Sequence, residues 1–134
     1  MRLSYPAYTD VGLLLIRIGL AIVFIVHGLQ KWQNLQATGQ FFSSLALPSI
    51  FVYLVALTEL VGGVMVLFGW LARLSSFALV VVMFFAIVLV KWPMGLVGGY
   101  ELELVLLLMA LALVVAGPGK YRLRVVGNNN QQSF

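Results

Sequence analysis

The sequence predicts an all-α protein: an integral membrane four-helix bundle, up-down-up-down, with no folded domain outside the bilayer. Three observations carry this. Of 134 residues, 63% are hydrophobic, mean hydropathy is +1.08, and only 9% are charged, against about 25% charged in a soluble domain. The apolar residues fall into four long runs separated by Gly, Pro, Trp and Lys, each near the ~20 residues that cross a bilayer. The connections are short, which forces sequential helices antiparallel.

Residues 1–10 are a polar lead containing Arg2, Pro6 and Asp10. Thr9 or Asp10 is placed to cap a first helix over roughly 11–29. His27-Gly28-Leu29-Gln30-Lys31 follows the apolar run where a small-residue cleavage site would stand in a signal peptide, so this segment is expected to remain as an anchor. Lys31 and Trp32 suit the interface. Residues 33–48 are polar to Gln40, then carry Phe41, Phe42, Leu45 and Leu47 before Pro48. Two readings are open: a short interfacial segment lying flat on the membrane, or a plain loop. A second helix is predicted over 49–68, punctuated by Gly69-Trp70. A third covers 71–90 and ends at Lys91-Trp92-Pro93, since proline cannot continue a helix cheaply. After a Gly-rich turn, a fourth covers 100–116 and stops at Gly117-Pro118-Gly119. The tail, 120–134, is basic and then Asn/Gln-rich, with the composition of a flexible segment.

Net charge is +4, but the bases sit at helix ends, which points to topology and anionic lipid and not to nucleic acid. Arg2, Arg73, Lys120, Arg122 and Arg124 fall on one side, Lys31 and Lys91 on the other. Both termini are therefore expected in the cytoplasm. Cysteine is absent, which removes disulfides, thiol catalysis, iron–sulfur ligation and cysteine-based zinc sites.

Ionisable groups inside hydrocarbon are costly and survive when paired or facing a polar cavity. Arg17 in the first helix and Glu59 in the second are expected at depths about 5 Å apart, so an interhelical Arg17–Glu59 ion pair is predicted, either as part of a site or as a register device. Arg17, Phe24, His27 and Lys31 share an arc of about 80° on the first helix. Glu103 continues through Ala110 and Gly117 at seven-residue steps, a small and inward-packing face; Glu101 points away as an interfacial charge. His27, Lys31, Lys91 and Glu103, with Glu59, are expected to form one polar pocket opening outward. That pocket is either a proton-handling or quinone head-group site, with His27, Glu59 and Glu103 as proton carriers and Arg17, Lys31 and Lys91 as ligand contacts, or a satisfied network without ligand. Thr58-x-x-x-Gly62, Glu59-x-x-x-Gly63, Gly12, Gly19 and Gly28 read as packing positions. The stripe Phe77, Phe84 and Lys91 reads as lipid contact or core. The single histidine excludes bis-histidine haem from this chain alone, and there is no phosphate loop, metal-spaced His/Glu motif or nucleophile–base pair.

The ordered set Arg17, His27-Gly28-Leu29-Gln30-Lys31, Glu59 with Gly62-Gly63, Gly69-Trp70-Leu71-Ala72-Arg73, Glu103, and Gly117-Pro118-Gly119-Lys120-Tyr121 resembles the DoxX family of small bacterial membrane proteins, over about residues 12–121. The resemblance implies a four-helix protein of the bacterial inner membrane linked to redox metabolism, with quinone as the implied cofactor, often working as one subunit of a complex. One departure stands out: where the family often continues Ser-Leu-Asp, this chain has Arg122-Leu123-Arg124, so a partner recruited by that end would differ. Its partners are expected to be the bilayer and either other proteins or further copies of itself. Two other roles fit the same residues: a structural or assembly subunit of a larger membrane complex, and a small transporter or proton path formed by an oligomer.

Overall fold

The computed structural model describes residues 6–124. Arg2 and the distal tail from 125, whose flexibility the composition suggests, lie outside the described residues. The described chain is helical, without a strand. Four helices are long and apolar enough to cross a bilayer: Ala7–Gln33, Ile50–Phe68, Ala72–Met94 and Leu96–Ala116.

Helix α1 runs Pro6–Gln33, starting earlier and ending later than the apolar run suggests. Asp10 consequently lies inside α1 and not at its cap, and its Oδ1 instead accepts a hydrogen bond from the Lys120 amide at 2.9 Å. Residues 33–48 are not a plain loop: α2 covers Leu35–Ser44, with Phe42 buried. Ala46, at φ +58°, turns the chain into α3, Ile50–Phe68. Helix α4, Ala72–Ala86, continues through a wider π-type turn, Ile87–Lys91, and a short 3-10 turn, Trp92–Met94. The next turn contains the extended Val97 and leads into α5, Glu101–Ala116.

Consecutive spanning helices are antiparallel. Gly28 of α1 abuts α3 so closely that a Cβ there would stand 2.7 Å from the Leu60 backbone nitrogen. Leu79 of α4 packs on Gly62 of α3, and Arg73 near the start of α4 lies against Gly117 after α5. The core is one cluster running through α1, α3, α4 and α5, including Leu20, Phe24, Val66, Leu79, Leu106 and Leu113. Lipid tails are as apolar as these side chains, so close packing and not the hydrophobic effect holds the helices together. Outward-facing residues are apolar as well: Leu15 is 63% exposed and Leu74 64%.

Candidate membrane-embedded ligand site

The register of α1 on α3 decides which charges meet. With Gly28 beside Leu60 and Gly63 beside Ile25, Arg17 lies level with the residues just past the end of α3. Glu59 is then about twelve residues away along the axis, or about 18 Å at 1.5 Å per residue. The predicted Arg17–Glu59 ion pair does not form.

Arg17, 1% exposed, instead spreads its guanidinium over backbone carbonyls. Nε donates to Val66 O at 2.8 Å, Nη2 to Leu67 O at 2.6 Å, and Nη1 to Pro118 O at 3.0 Å and to Tyr121 O. The last carbonyls of a helix lack intrahelical donors and carry its negative pole. The C-terminus of α3 thus substitutes for a carboxylate counter-ion. Gly69 makes room: at φ +71°, with a notional Cβ 2.7 Å from Arg17 Nη2, it satisfies both the left-handed turn and the close approach. Arg17 is removed from the ligand site and assigned to the fold.

Glu59 pairs with Lys31. Lys31 Nζ donates to Oε2 at 2.7 Å, and the Glu59 side chain is 3% exposed. Lys91 Nζ stands 3.8 Å from Glu103 Oε1, a charge pair too long for a hydrogen bond. Glu103 Oε2 is buried and has no hydrogen-bond partner among the described residues. Glu101, by contrast, is exposed and accepts a bond from the Gly98 amide at 3.2 Å, fastening its own turn.

His27, Lys31, Glu59, Lys91 and Glu103 all line one cavity of about 550 Å³ between the spanning helices, within the size range of ligand pockets, about 300–1,000 Å³. Its remaining lining is overwhelmingly apolar. Phe24 forms part of the inner wall, Met83 and Leu106 another, and α2 with the turn after it contributes Phe41, Phe42, Leu45 and Leu47. The α2 contribution was not legible in the sequence, because whether 33–48 was an interfacial segment or a plain loop was open. Phe85 lines the cavity, whereas Phe77 and Phe84 do not and are 56% and 53% exposed. Chemically, the site offers two ammonium donors, an imidazole and two carboxylates at the end of an apolar slot.

The DoxX family profile matches residues 12–92. The chain belongs to the DoxX family. This DoxX protein is 39% identical over 108 residues, 81% of each chain, to a Bacillus subtilis (strain 168) protein named "Putative oxidoreductase CatD". It is 37% identical over 67 residues, half of this chain and 52% of the relative, to the inner membrane protein YqjF of Escherichia coli (strain K12). No solved structure shows significant similarity to it.

Proposed function

We propose that this DoxX protein is a quinone-holding subunit of an oxidoreductase in the bacterial inner membrane. One observation carries the reading: a largely apolar cavity among the spanning helices is lined by five ionisable side chains, one of them with a buried carboxylate oxygen lacking a partner among the described residues. Such an oxygen asks for a donor that the described residues do not provide. The name of the Bacillus relative supports an oxidoreductase association.

The donor set fits a quinone ring. Phe24, Phe42 and Met83 offer apolar surface to its faces, and Lys31, Lys91 and His27 offer donors for its carbonyl oxygens. A bound quinone supplies a two-electron acceptor that takes up two protons on reduction. The chain's own task is to bind and orient the ring, exclude water and hold protons at Glu59, Glu103 and His27. Lys31 fixes the Glu59 carboxylate in place. With no cysteine to ligate an iron–sulfur cluster, the chain takes its electrons from a partner's cofactor or a soluble donor.

Gentle extraction of the native protein, followed by native mass spectrometry and analysis of its lipid extract, should show quinone stoichiometric with the chain. In membranes, Glu59→Gln should lower quinone reduction at least about tenfold, toward the loss of a proton-transfer group, with the protein still inserted and folded. Full activity in a folded Glu59→Gln protein would refute the proposal. Partner chains co-purifying without quinone would favour the assembly-subunit role.

A further inference from the structure

The same cavity has an uneven wall, and its openings show how a ligand reaches it. The polar groups come from α1, α3, α4 and α5, and the water-side end is roofed by α2 and its turn through Phe41, Phe42, Leu45 and Leu47. Of the lining residues that are exposed, His27, Phe41 and Leu102 lie on α1, α2 and α5, and the other five lie on α3 and on α4 with its π-type continuation. Val81 and Phe85, four residues apart on one face of α4, are 39% and 52% exposed, Leu89 in the π-type turn after it is 46% exposed, and Phe51 and Leu54 of α3 are 42% and 50% exposed. α3 and α4 touch at the level of Gly62 and Leu79, where Gly62 has no side chain to hold them apart. Toward the Lys91 end the gap between them is bordered by these apolar residues. All of them lie within the spanning segments Ile50–Phe68 and Ala72–Met94. The medium outside that gap is the hydrocarbon of the bilayer.

We infer that the cavity is filled sideways from the membrane through the α3–α4 cleft, by an amphiphile whose polar head reaches Glu59 and Glu103 while its single long alkyl or isoprenoid chain leaves between Leu54 and Phe85. This rests on the reading of the cavity as a ligand site and adds the ligand class and its route. A head group arriving from lipid passes only apolar side chains and meets the ion pairs last. A tail lying in the cleft covers apolar rim that otherwise contacts bulk lipid, and leaves the buried carboxylates shielded from water.

The test uses a diazirine-bearing fatty acid in phosphatidylethanolamine–phosphatidylglycerol vesicles containing the full chain, with labelled residues located by mass spectrometry. Phe24 and Met83 are buried, at 1% and 6% exposure, and line the cavity; Leu20 and Leu113 are fully buried but do not. Photolabel is expected on Phe24 and Met83 several-fold above Leu20 and Leu113, and it should fall when Leu54→Trp or Phe85→Trp narrows the cleft. Equal labelling of the two pairs in the unaltered protein would overturn the inference without recourse to any variant. Because the probe carries no quinone ring, the outcomes separate. Cavity labelling with no quinone in the native extract keeps the lateral route and removes the quinone. Bound quinone without cavity labelling does the reverse.

Discussion

Arg17 and Lys31 lie fourteen positions apart on α1 and have opposite kinds of work. Arg17 needs a planar fork because its acceptors are carbonyls on two separated stretches, the end of α3 and the segment after α5. Lysine keeps the charge but offers one point of donation. Arg17→Lys should therefore lower stability in detergent by about 2–3 kcal/mol, the scale of lost charge-assisted hydrogen bonds; a thermal-shift or denaturant titration reads this. Lys31 has one partner, Glu59, and the test is a cycle. Lys31→Met alone strands a buried carboxylate and should cost about 3 kcal/mol. Combined with Glu59→Gln, the loss should be smaller than the sum by about 1–2 kcal/mol. An additive result would mean the 2.7 Å contact contributes nothing to stability.

At the scale of the helices, Gly28 is the position that sets register. It lets α1 settle on Leu60, and that contact delivers Lys31 to Glu59 and Arg17 to the end of α3. Gly28→Ala has no room for its methyl and must push backbone against backbone. A loss of about 1–3 kcal/mol is expected, as for overpacked cores, together with weaker ligand retention, since both ion pairs line the cavity. Unchanged stability would show that α1 and α3 can slide apart freely. The same contact explains what the sequence could and could not reveal. Four apolar runs with Gly–Trp and Gly–Pro–Gly stops located the spanning helices, because hydrocarbon admits few other solutions. The grouping of His27, Lys31, Lys91 and Glu103 on one side followed from alternating helix direction. The partner of Arg17 was not legible. Ion-pair reasoning looks for an acid, whereas here backbone carbonyls from non-adjacent segments do the compensating, and only register reveals them. α2 was equally obscure. Its composition, LQATGQFFSS, has little intrinsic helical bias, and Phe42 is held by burial against the rest of the fold.

For the whole molecule, the distribution of bases bears on direction. Among the described residues Arg73, Lys120, Arg122 and Arg124 lie at one end of the bundle and Lys31 and Lys91 at the other, and the two latter are both engaged by carboxylates lining the cavity. By the positive-inside rule the excess of bases predicts the first end in the cytoplasm, an orientation that would put the cavity, α2 and both ion pairs in the outer half of the membrane. The cysteine-free sequence makes this directly measurable. Gln36→Cys, on the exposed face of α2, should react with a membrane-impermeant maleimide in intact cells after outer-membrane permeabilisation. Leu123→Cys, 59% exposed beyond α5, should react only once the inner membrane is opened. The reverse pattern would turn the molecule over. Glu59 and Glu103 would then exchange protons with the cytoplasm and not with the outer compartment, and a quinone reduced in the cavity would draw its protons from the opposite side of the membrane. Orientation thus fixes the sign of any contribution this protein makes to the proton gradient.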